Sequence, residues 1–220
     1  MIVGNLVYLT VTLPDITYTV HIVSQFITFP TIVYWATVLR ILKYLCGIQF
    51  SSPLFHPNSS LELCANSDVD WAGDPEDRKS KTGFCIFLDD SLISWKSKKQ
   101  DIFSRLSSKA KYRAMASTTC EVVWLRPLLE DLGVSLLSCT PLYCDNESAI
   151  YIARNSVFQE RTKHIENDCN LAHHHLLQRT IFLPFVPSSL QIANIFTKAY
   201  SILQFRFLSD KLSILIPATW

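Results

Sequence analysis

We predict an α/β fold for this sequence of 220 residues: a five-stranded mixed sheet flanked by helices, with an N-terminal helical extension. Runs rich in β-branched and aromatic residues occupy positions 82–88 and 92–97, on either side of a three-residue turn. A helical period of apolar residues then extends over 107–132. Beyond it, short strand-like runs alternate with helical segments, and this order is typical of a mixed sheet.

The composition is that of a globular protein with a sizeable core. Hydrophobic residues make up 49% of the chain and charged residues 18%, and the formal net charge is +1. This balance excludes a disordered acidic or basic tail protein. Seven cysteines without a Cys-x-x-Cys pair indicate reduced thiols and an intracellular protein of the cytoplasm or nucleus.

The chain divides into four predicted parts. These are a helical extension over residues 1–50, a linker over 51–60, an α/β domain over 61–205 and a C-terminal tail over 206–220. The extension is predicted to form two helices, over residues 15–26 and 31–45. Its abrupt start within an apolar run is typical of a fragment of a larger polypeptide.

Residues 16–39 contain no charged side chain, so a membrane span is an alternative interpretation of the extension. His21, Gln25 and Pro30 lie within this stretch and make a span less favourable. The preferred interpretation is a pair of short helices that bury their apolar faces against a partner that is missing from this chain.

The elements of the α/β domain follow from periodicity and turn residues. Strands are predicted at residues 61–68, 82–88, 92–97, 142–144 and 181–186. Helices are predicted at 107–132, after Asp145 through Arg154, at 162–177 and at 190–197. Gly133 is expected to stop the long helix. Pro127 lies inside that helix and is expected to kink it.

Familiar motifs for phosphate, dinucleotide and serine-nucleophile sites are missing from the sequence. Cys169 and His173 are four residues apart and could share a metal ion on one helical face, but two further ligands are not evident. Solvated histidines are therefore the preferred interpretation. His164 and Asp168, at the same spacing, indicate a structural hydrogen bond.

Two carboxylates at predicted strand ends give a stronger signal. Asp68 closes the first strand of the sheet and Asp145 the fourth. Ligands of α/β sheets bind outside the carboxyl ends of the strands, and two aspartates brought together there repel unless a hard cation such as Mg²⁺ neutralises them. The equally weighted alternative is that both residues are turn or cap residues, with Asp145 and Asn146 capping the next helix.

One stretch of the sequence is markedly basic. It contains Lys96, Lys98, Lys99, Arg105, Lys109, Lys111 and Arg113, with Asp101 as its only acid. Phosphate backbones are the expected partners of such a stretch. The alternative is a solvated connection between a strand and a helix.

Several segments in order resemble the ribonuclease H domain of copia-type retrotransposon Pol polyproteins. They are residues 66–74 (NSDVDWAGD), 92–100 (LISWKSKKQ), 142–146 (LYCDN), 161–166 (RTKHIE) and 195–198 (IFTK). Residues 6–10 and 39–45 are similar to the stretch that follows the reverse transcriptase core. The resemblance implies a ribonuclease H-like fold, an RNA–DNA hybrid as substrate and the reverse transcriptase portion of the polyprotein as a partner.

The family's mechanism relies on four carboxylates that hold two Mg²⁺ ions. By resemblance, Asp68 and Asp145 are the first and third of these carboxylates, and both are metal ligands. Lys111 stands where the second is expected, and Asn194 replaces the fourth. The basic residues Lys96, Lys98, Lys99, Arg105, Lys109 and Arg113 are the expected nucleic-acid contacts.

These two replacements change the predicted mechanism. A lysine ammonium 4 Å from a unit positive charge is repelled by about 4 kcal/mol at an effective dielectric constant of 20, and a dication doubles that figure. We therefore predict weakened or lost Mg²⁺ binding, an ion pair from Lys111 to Asp68 or Asp145, and an inactive domain that still binds nucleic acid. The alternatives are an active hybrid ribonuclease and a small membrane-anchored protein.

Overall fold

The computed structural model describes residues 1–47, 61–74, 76–155 and 166–212. At its centre is a five-stranded sheet of β1 (Leu63–Asp70), β2 (Lys81–Leu88), β3 (Ser91–Lys99), β4 (Thr140–Cys144) and β5 (Ile181–Phe182). The strand order is β3-β2-β1-β4-β5; β2 runs antiparallel to its neighbours β1 and β3, and β4 and β5 run parallel to β1. The α-helices are α1 (Ile2–Leu9), α2 (Thr17–Ser24), α3 (Ile32–Gly47), α4 (Ser107–Asp131), α5 (Glu147–Arg154), α6 (Glu166–Leu177) and α7 (Ile202–Lys211). The predicted mixed sheet flanked by helices is confirmed.

The hairpin of β2 and β3 forms around the predicted turn. The two strands pair from Lys81 and Lys99 at the open end to Leu88 and Ser91 at the turn. The turn residue Asp89 has a φ of +54°, a left-handed conformation in which aspartate is enriched over most other residues.

Strand β1 extends two residues beyond its predicted end. Asp68 therefore lies within the strand rather than at its end, and Asp70 is the last strand residue. Packing and strand pairing stabilise these two additional residues. Val69 is buried against Ala110 and Ala114 of α4, and Asp70 is the cross-strand partner of Lys81.

Helix α4 packs across one face of the sheet and forms the main core with α5 and α6. The buried core residues it contributes are Tyr112, Met115, Val122, Leu125 and Leu129. Gly133, with a φ of +86°, follows the helix as predicted. Pro127 lies on its exposed side, and the helix continues past it to Asp131.

The C-terminal part departs most from the prediction. Only Ile181–Phe182 of the predicted strand over residues 181–186 forms regular strand, followed by a single bridge between Cys144 and Phe185. Pro184 lies in this segment and has no amide hydrogen to donate to a neighbouring strand. The predicted helix over 190–197 is instead a pair of short 3-10 helices, Ser188–Leu190 and Ile192–Phe196.

Helix α7 was missed by the sequence analysis, and it crosses the expected boundary between residues 205 and 206. Leu208 and Leu212 are buried in a second core on the opposite face of the sheet from α4, together with Cys85, Phe87 and Phe196. Residues up to 212 therefore pack with the α/β domain and are not part of a separate tail.

Residues 1–47, the described part of the N-terminal extension, contain three α-helices rather than the predicted two. The helices enclose a small core of their own, formed by Leu6, Ile16, Val20, Val23, Val38 and Ile41. The charge-free stretch 16–39 is divided between α2 and α3. Within the described ranges, no helix combines the length and hydropathy needed to cross a bilayer.

The N-terminal helices contact the sheet directly. The Trp95 indole Nε1 donates a 2.8 Å hydrogen bond to the carbonyl of Thr10, and the ammonium of Lys81 lies 4.4 Å from the centre of the Tyr18 ring. The predicted linker at 51–60, the first four residues of the predicted helix 162–177, and residues 213–220 lie outside the described residues.

Candidate functional site

The parallel pairing of β1 and β4 brings two aspartates to the same edge of the sheet. The register places Ser67 opposite Cys144, so Asp68 and Asp145 follow at matching positions. The side chain of Asp68 is 0% exposed and that of Asp145 is 5% exposed. The juxtaposition expected from the sequence is present.

A lysine ammonium lies between these two carboxylates. Lys111 Nζ donates a 2.7 Å hydrogen bond to Asp68 Oδ1 and a second hydrogen bond to Asp145 Oδ1. Lys111 reaches them from the beginning of α4, where Ala110 and Ala114 pack closely on β1. The small side chains allow this close approach of helix and strand, and the lysine itself is only 11% exposed.

Asn146, rather than Asp145, caps the following helix. Its side-chain oxygen accepts a 2.8 Å hydrogen bond from the backbone amide of Ala149 in α5. The capping role proposed for Asp145 and Asn146 together is thus met by Asn146, and the Asp145 carboxylate accepts from Lys111.

Two further groups bind the remaining oxygen of Asp68, and the sequence analysis assigned them no role. The hydroxyl of Thr197 donates to Asp68 Oδ2, and Lys198 Nζ lies 3.3 Å from the same atom. The match of residues 195–198 to the family motif was the signal that could have identified both.

Asn194 is linked to Asp68 through Lys198, which contacts both side chains. Its side-chain oxygen accepts a 2.9 Å hydrogen bond from Lys198 Nζ, and its side-chain nitrogen donates to the carbonyl of Ser188 at 2.7 Å. The amide oxygen is therefore already engaged by a cation of the chain.

Gln191 holds the 3-10 helix Ile192–Phe196, called the Ile192–Phe196 turn below, against the sheet. Its side-chain nitrogen donates to the carbonyls of Ser67 on β1 and Tyr143 on β4, both at 3.2 Å, and the residue is fully buried. One glutamine thus joins the two strands that carry the aspartates to the segment that carries Asn194. No motif in the sequence pointed to this role.

The ionisation of the central pair follows from these contacts. Burial by itself raises the pKa of the Asp68 carboxyl, but the charges of Lys111 and Lys198 and the hydrogen bonds it accepts outweigh burial, and the pKa lies below its ordinary value. Burial likewise lowers the pKa of Lys111, but the charge of Asp68 and the hydrogen bonds to both carboxylates raise it overall. Both shifts favour the charged forms.

Asp70 and Tyr200 lie at the border of the site. Burial raises the pKa of Asp70 despite the opposing charges of Lys198 and Lys81. Burial, together with the negative charges of Asp68, Asp145 and Asp70, raises the pKa of Tyr200 to about 12. The tyrosine is therefore neutral at physiological pH.

The residues at this site do not fit the magnesium pair that the resemblance implies. Mg²⁺ requires several oxygen ligands in octahedral geometry. Here the position between the two carboxylates is taken by an ammonium, and Lys198 engages both Asp68 and Asn194. Across the described part of the chain, no group of three acidic, histidine or cysteine side chains is arranged to hold a metal ion.

Four of the predicted nucleic-acid contacts line one groove beside β3 and the beginning of α4. They are Lys96, Lys98, Lys99 and Arg113. Lys96 and Lys98 are exposed, and Lys98 has only a 3.7 Å surface ion pair with Asp101. Arg105 and Lys109 do not line this groove.

The other two basic residues of the groove are held by neighbouring side chains. Lys99 Nζ lies 2.6 Å from Asp74 and 3.0 Å from Asp77. Arg113 donates a 2.7 Å hydrogen bond to the hydroxyl of Ser104. Lys96 and Lys98 are consequently the most accessible positive charges in the groove.

The remaining candidate ligands do not converge in the described structure. His173 Nδ1 lies 3.0 Å from the carbonyl of Ala153, a structural contact between α6 and α5. The described cysteines, at 46, 64, 85, 120, 139 and 144, form no disulfide with one another. The side chains of Cys169, His164 and Asp168 lie outside the described residues.

Comparison with known proteins gives clear relatives in sequence. The chain is 37% identical over 214 residues to the retrovirus-related Pol polyprotein from transposon RE2 of Arabidopsis thaliana, covering 97% of this chain and 15% of the relative. It is 38% identical over 213 residues to the corresponding polyprotein from transposon RE1 of the same plant, covering 97% and 14%. This chain thus corresponds to a small part of each relative. No protein-family model matches it.

Likeness to solved structures is weaker. The N-terminal RNase H domain of rv2228c from Mycobacterium tuberculosis overlaps 69% of this chain and 98% of that chain, at 11% identity and a TM-score of 0.44. This overlap is too low to carry an argument about function.

Proposed function

Because this chain belongs to the copia-type retrotransposon Pol polyproteins, we propose that it is a ribonuclease H domain that no longer cleaves RNA–DNA hybrids but still binds them. The observation that carries the proposal is the ammonium of Lys111 between Asp68 and Asp145. Since the chain spans only 15% of the first relative, activities of the rest of such a polyprotein are not ascribed to it.

The loss of cleavage follows from electrostatics. A phosphodiester-cleaving site of this family requires concentrated negative charge that attracts dications. Lys111 and Lys198 instead compensate Asp68 and Asp145 within the chain, and the Asn194 amide carries no charge. A dication at this position would be repelled by the ammonium it has to displace.

The binding surface is the groove that contains Lys96 and Lys98. Neutralisation of phosphates by lysine and arginine releases counterions and supplies most non-specific nucleic-acid affinity. These ammonium groups are exposed and lie on β3, in the same sheet as the aspartates. A hybrid bound there has its backbone along the basic groove and beside the inactive site.

The proposal extends to the arrangement of the chain. Residues 1–50 form the remnant of the region that follows the reverse transcriptase core, residues 51–60 the linker and residues 61–205 the nuclease-like domain. We add the whole of α7 to the nuclease-like domain, because Leu208 and Leu212 are buried in its second core. The reverse transcriptase portion of the polyprotein is the proposed partner of the helical extension.

Cleavage of a labelled RNA–DNA hybrid in Mg²⁺ tests the first half of the proposal. We expect no cleavage by the unsubstituted protein, and Mg²⁺-dependent cleavage by the double variant Lys111→Glu, Asn194→Asp, because both acidic positions are then restored. The triple variant that also carries Asp68→Asn controls for contaminating nuclease. Cleavage by the unsubstituted protein would overturn the proposal.

Fluorescence anisotropy with the same hybrid tests the second half. We expect the double variant Lys96→Glu, Lys98→Glu to bind more weakly and with a shallower salt dependence, by roughly 0.7 to 0.9 in slope for each phosphate that a lysine no longer neutralises. The matched control is Lys43→Glu, Lys211→Glu, which makes the same change of charge at exposed sites on α3 and α7. Equal weakening in both variants would mean that only net charge matters.

A further inference from the structure

We infer that Lys111 is a built-in counter-cation that makes both the folded domain and its hybrid binding independent of divalent metal ions. The part of this inference that concerns binding rests on the proposed function, whereas the part that concerns folding does not. The basis is a disagreement between the family's metal requirement and the side chains present at the site.

Three of the four carboxylate oxygens of Asp68 and Asp145 already have a donor. Asp68 Oδ1 and Asp145 Oδ1 accept from Lys111, and Asp68 Oδ2 accepts from Thr197 and lies 3.3 Å from Lys198 Nζ. A metal ion could reach these atoms only after several contacts between buried or nearly buried groups had been broken.

The charges around the site also balance within the described residues. The aspartates at 68, 70 and 145 carry three negative charges, and the lysines at 81, 111 and 198 carry three positive charges. Lys198 is 33% exposed and Lys111 is 11% exposed, so Lys111 is the more fully withdrawn from water of the two lysines that contact Asp68. A balanced cluster neither attracts a dication nor repels the phosphates of a bound strand.

Removal of the Lys111 charge breaks this balance at its centre. Asp145 then loses its ammonium partner, and Asp68 keeps only the Lys198 ammonium and the Thr197 hydroxyl, although both carboxylate side chains remain buried. Breaking a buried ion pair by removing one partner is strongly destabilising, because it leaves an uncompensated charge in a medium of low dielectric. A domain in that state gains stability from any cation that binds the folded form.

Thermal unfolding tests the inference without any nucleic acid. The melting temperature is measured in EDTA, in Mg²⁺ and in Mn²⁺ at matched ionic strength. We expect the unsubstituted protein to melt at the same temperature in all three. Lys111→Met is expected to melt roughly 10 °C lower in EDTA and to regain part of that loss with metal, whereas Lys43→Met, an exposed lysine on α3, is expected to change neither.

A second variant keeps the test decisive if Lys111→Met does not fold. The double variant Lys111→Met, Asp145→Asn removes one of the two carboxylates that Lys111 contacts, and the other, Asp68, retains Lys198 and Thr197 as partners. We expect this double variant to fold, to melt above the single variant and to be insensitive to metal. Failure of Asp145→Asn to restore any stability would contradict the counter-cation role.

Hybrid binding provides the third readout. The unsubstituted protein is expected to bind hybrid with a Kd that agrees within about twofold between EDTA and Mg²⁺ at matched ionic strength, a difference of about 0.4 kcal/mol. The two proposals fail in different ways. Absence of hybrid binding in both buffers would overturn the proposed function and, with it, the part of the inference that concerns binding. A melting temperature of the unsubstituted protein that rises with metal would overturn the part that concerns folding, whether or not hybrid binds.

Discussion

Lysine at position 111 has a longer side chain than the glutamate expected there. The additional length lets the ammonium extend from α4 and lie between carboxylates on two different strands. The lysine therefore does more than leave the site without the expected carboxylate, because it places a positive charge between Asp68 and Asp145. Its effect on the neighbouring carboxylate is measurable through pH.

The stability of the domain is expected to fall in acid partly because of Asp68. The pKa of this carboxyl is below its ordinary value in the folded state, so the unfolded state binds a proton more readily. The resulting stabilisation is fully present above about pH 4, the unfolded pKa, and is lost as the pH falls through the folded pKa. Urea unfolding between about pH 6 and pH 3 should show a shallower decline for Asp68→Asn than for the unsubstituted protein.

Asp210→Asn, an exposed carboxylate on α7, controls for the change in net charge. Identical pH dependence in Asp68→Asn and the unsubstituted protein would contradict the ion-pair description of Asp68.

At the scale of elements, the site depends on how closely the Ile192–Phe196 turn approaches the sheet. Gln191 holds the turn to β1 and β4, and Gly83 of β2, the cross-strand partner of Asp68, leaves room for it. A Cβ at Gly83 would lie 2.6 Å from Thr197 Cγ2 and 2.8 Å from Phe196 Cβ. Both distances are shorter than non-bonded carbon atoms tolerate, so the turn would have to move.

Gly83→Ala is therefore expected to destabilise the protein by about 1 to 3 kcal/mol, the usual cost of overpacking. Gly4→Ala is the matched control, because nothing lies within 4 Å of a Cβ there and alanine favours the helix by about 1 kcal/mol. The two variants should shift the urea midpoint in opposite directions. A shift in the same direction would show that Gly83 does not determine the packing of the turn.

At the scale of the whole molecule, the N-terminal helices and the α/β domain share a polar contact surface near the acidic site. Lys81 is buried under the Tyr18 ring and is the cross-strand partner of Asp70. Burial and the charge of Lys81 lower the pKa of the nearby His21 to about 4, so this histidine is neutral at physiological pH. The charges of the site thus continue into the surface between the two parts.

Tyr18→Leu is expected to reduce the free energy of unfolding by about 2 kcal/mol, because a largely desolvated ammonium loses its aromatic partner. Tyr8→Leu, a substitution at an exposed position of α1, should change it by less than about 0.5 kcal/mol. Urea unfolding followed by circular dichroism measures both. Equal effects would mean that the Lys81 contact contributes nothing to the association of the two parts.

Elements set by local pattern were predictable from the sequence. The β2–β3 hairpin follows from two runs rich in β-branched and aromatic residues around a turn, and α4 follows from its apolar period with Gly133 at its end. The candidate aspartates and the presence of Lys111 and Asn194 were equally evident, because residue identity and motif order do not depend on packing. The short extent of β5 and the presence of α7 were not predictable in this way, since a proline-containing edge segment and a short C-terminal helix are decided by burial against distant residues.

The sequence alone therefore determined the fold class, the family and the presence of a lysine and an asparagine at positions 111 and 194. Only the tertiary structure decided that Lys111 contacts both Asp68 and Asp145 rather than one of them, that Lys198 lies between Asp68 and Asn194, and that Gln191 and Gly83 support the turn. The physical reason is distance along the chain. Lys111 is 43 residues from Asp68 and Thr197 is 129 residues from it, and no local pattern encodes which side chains meet across such separations.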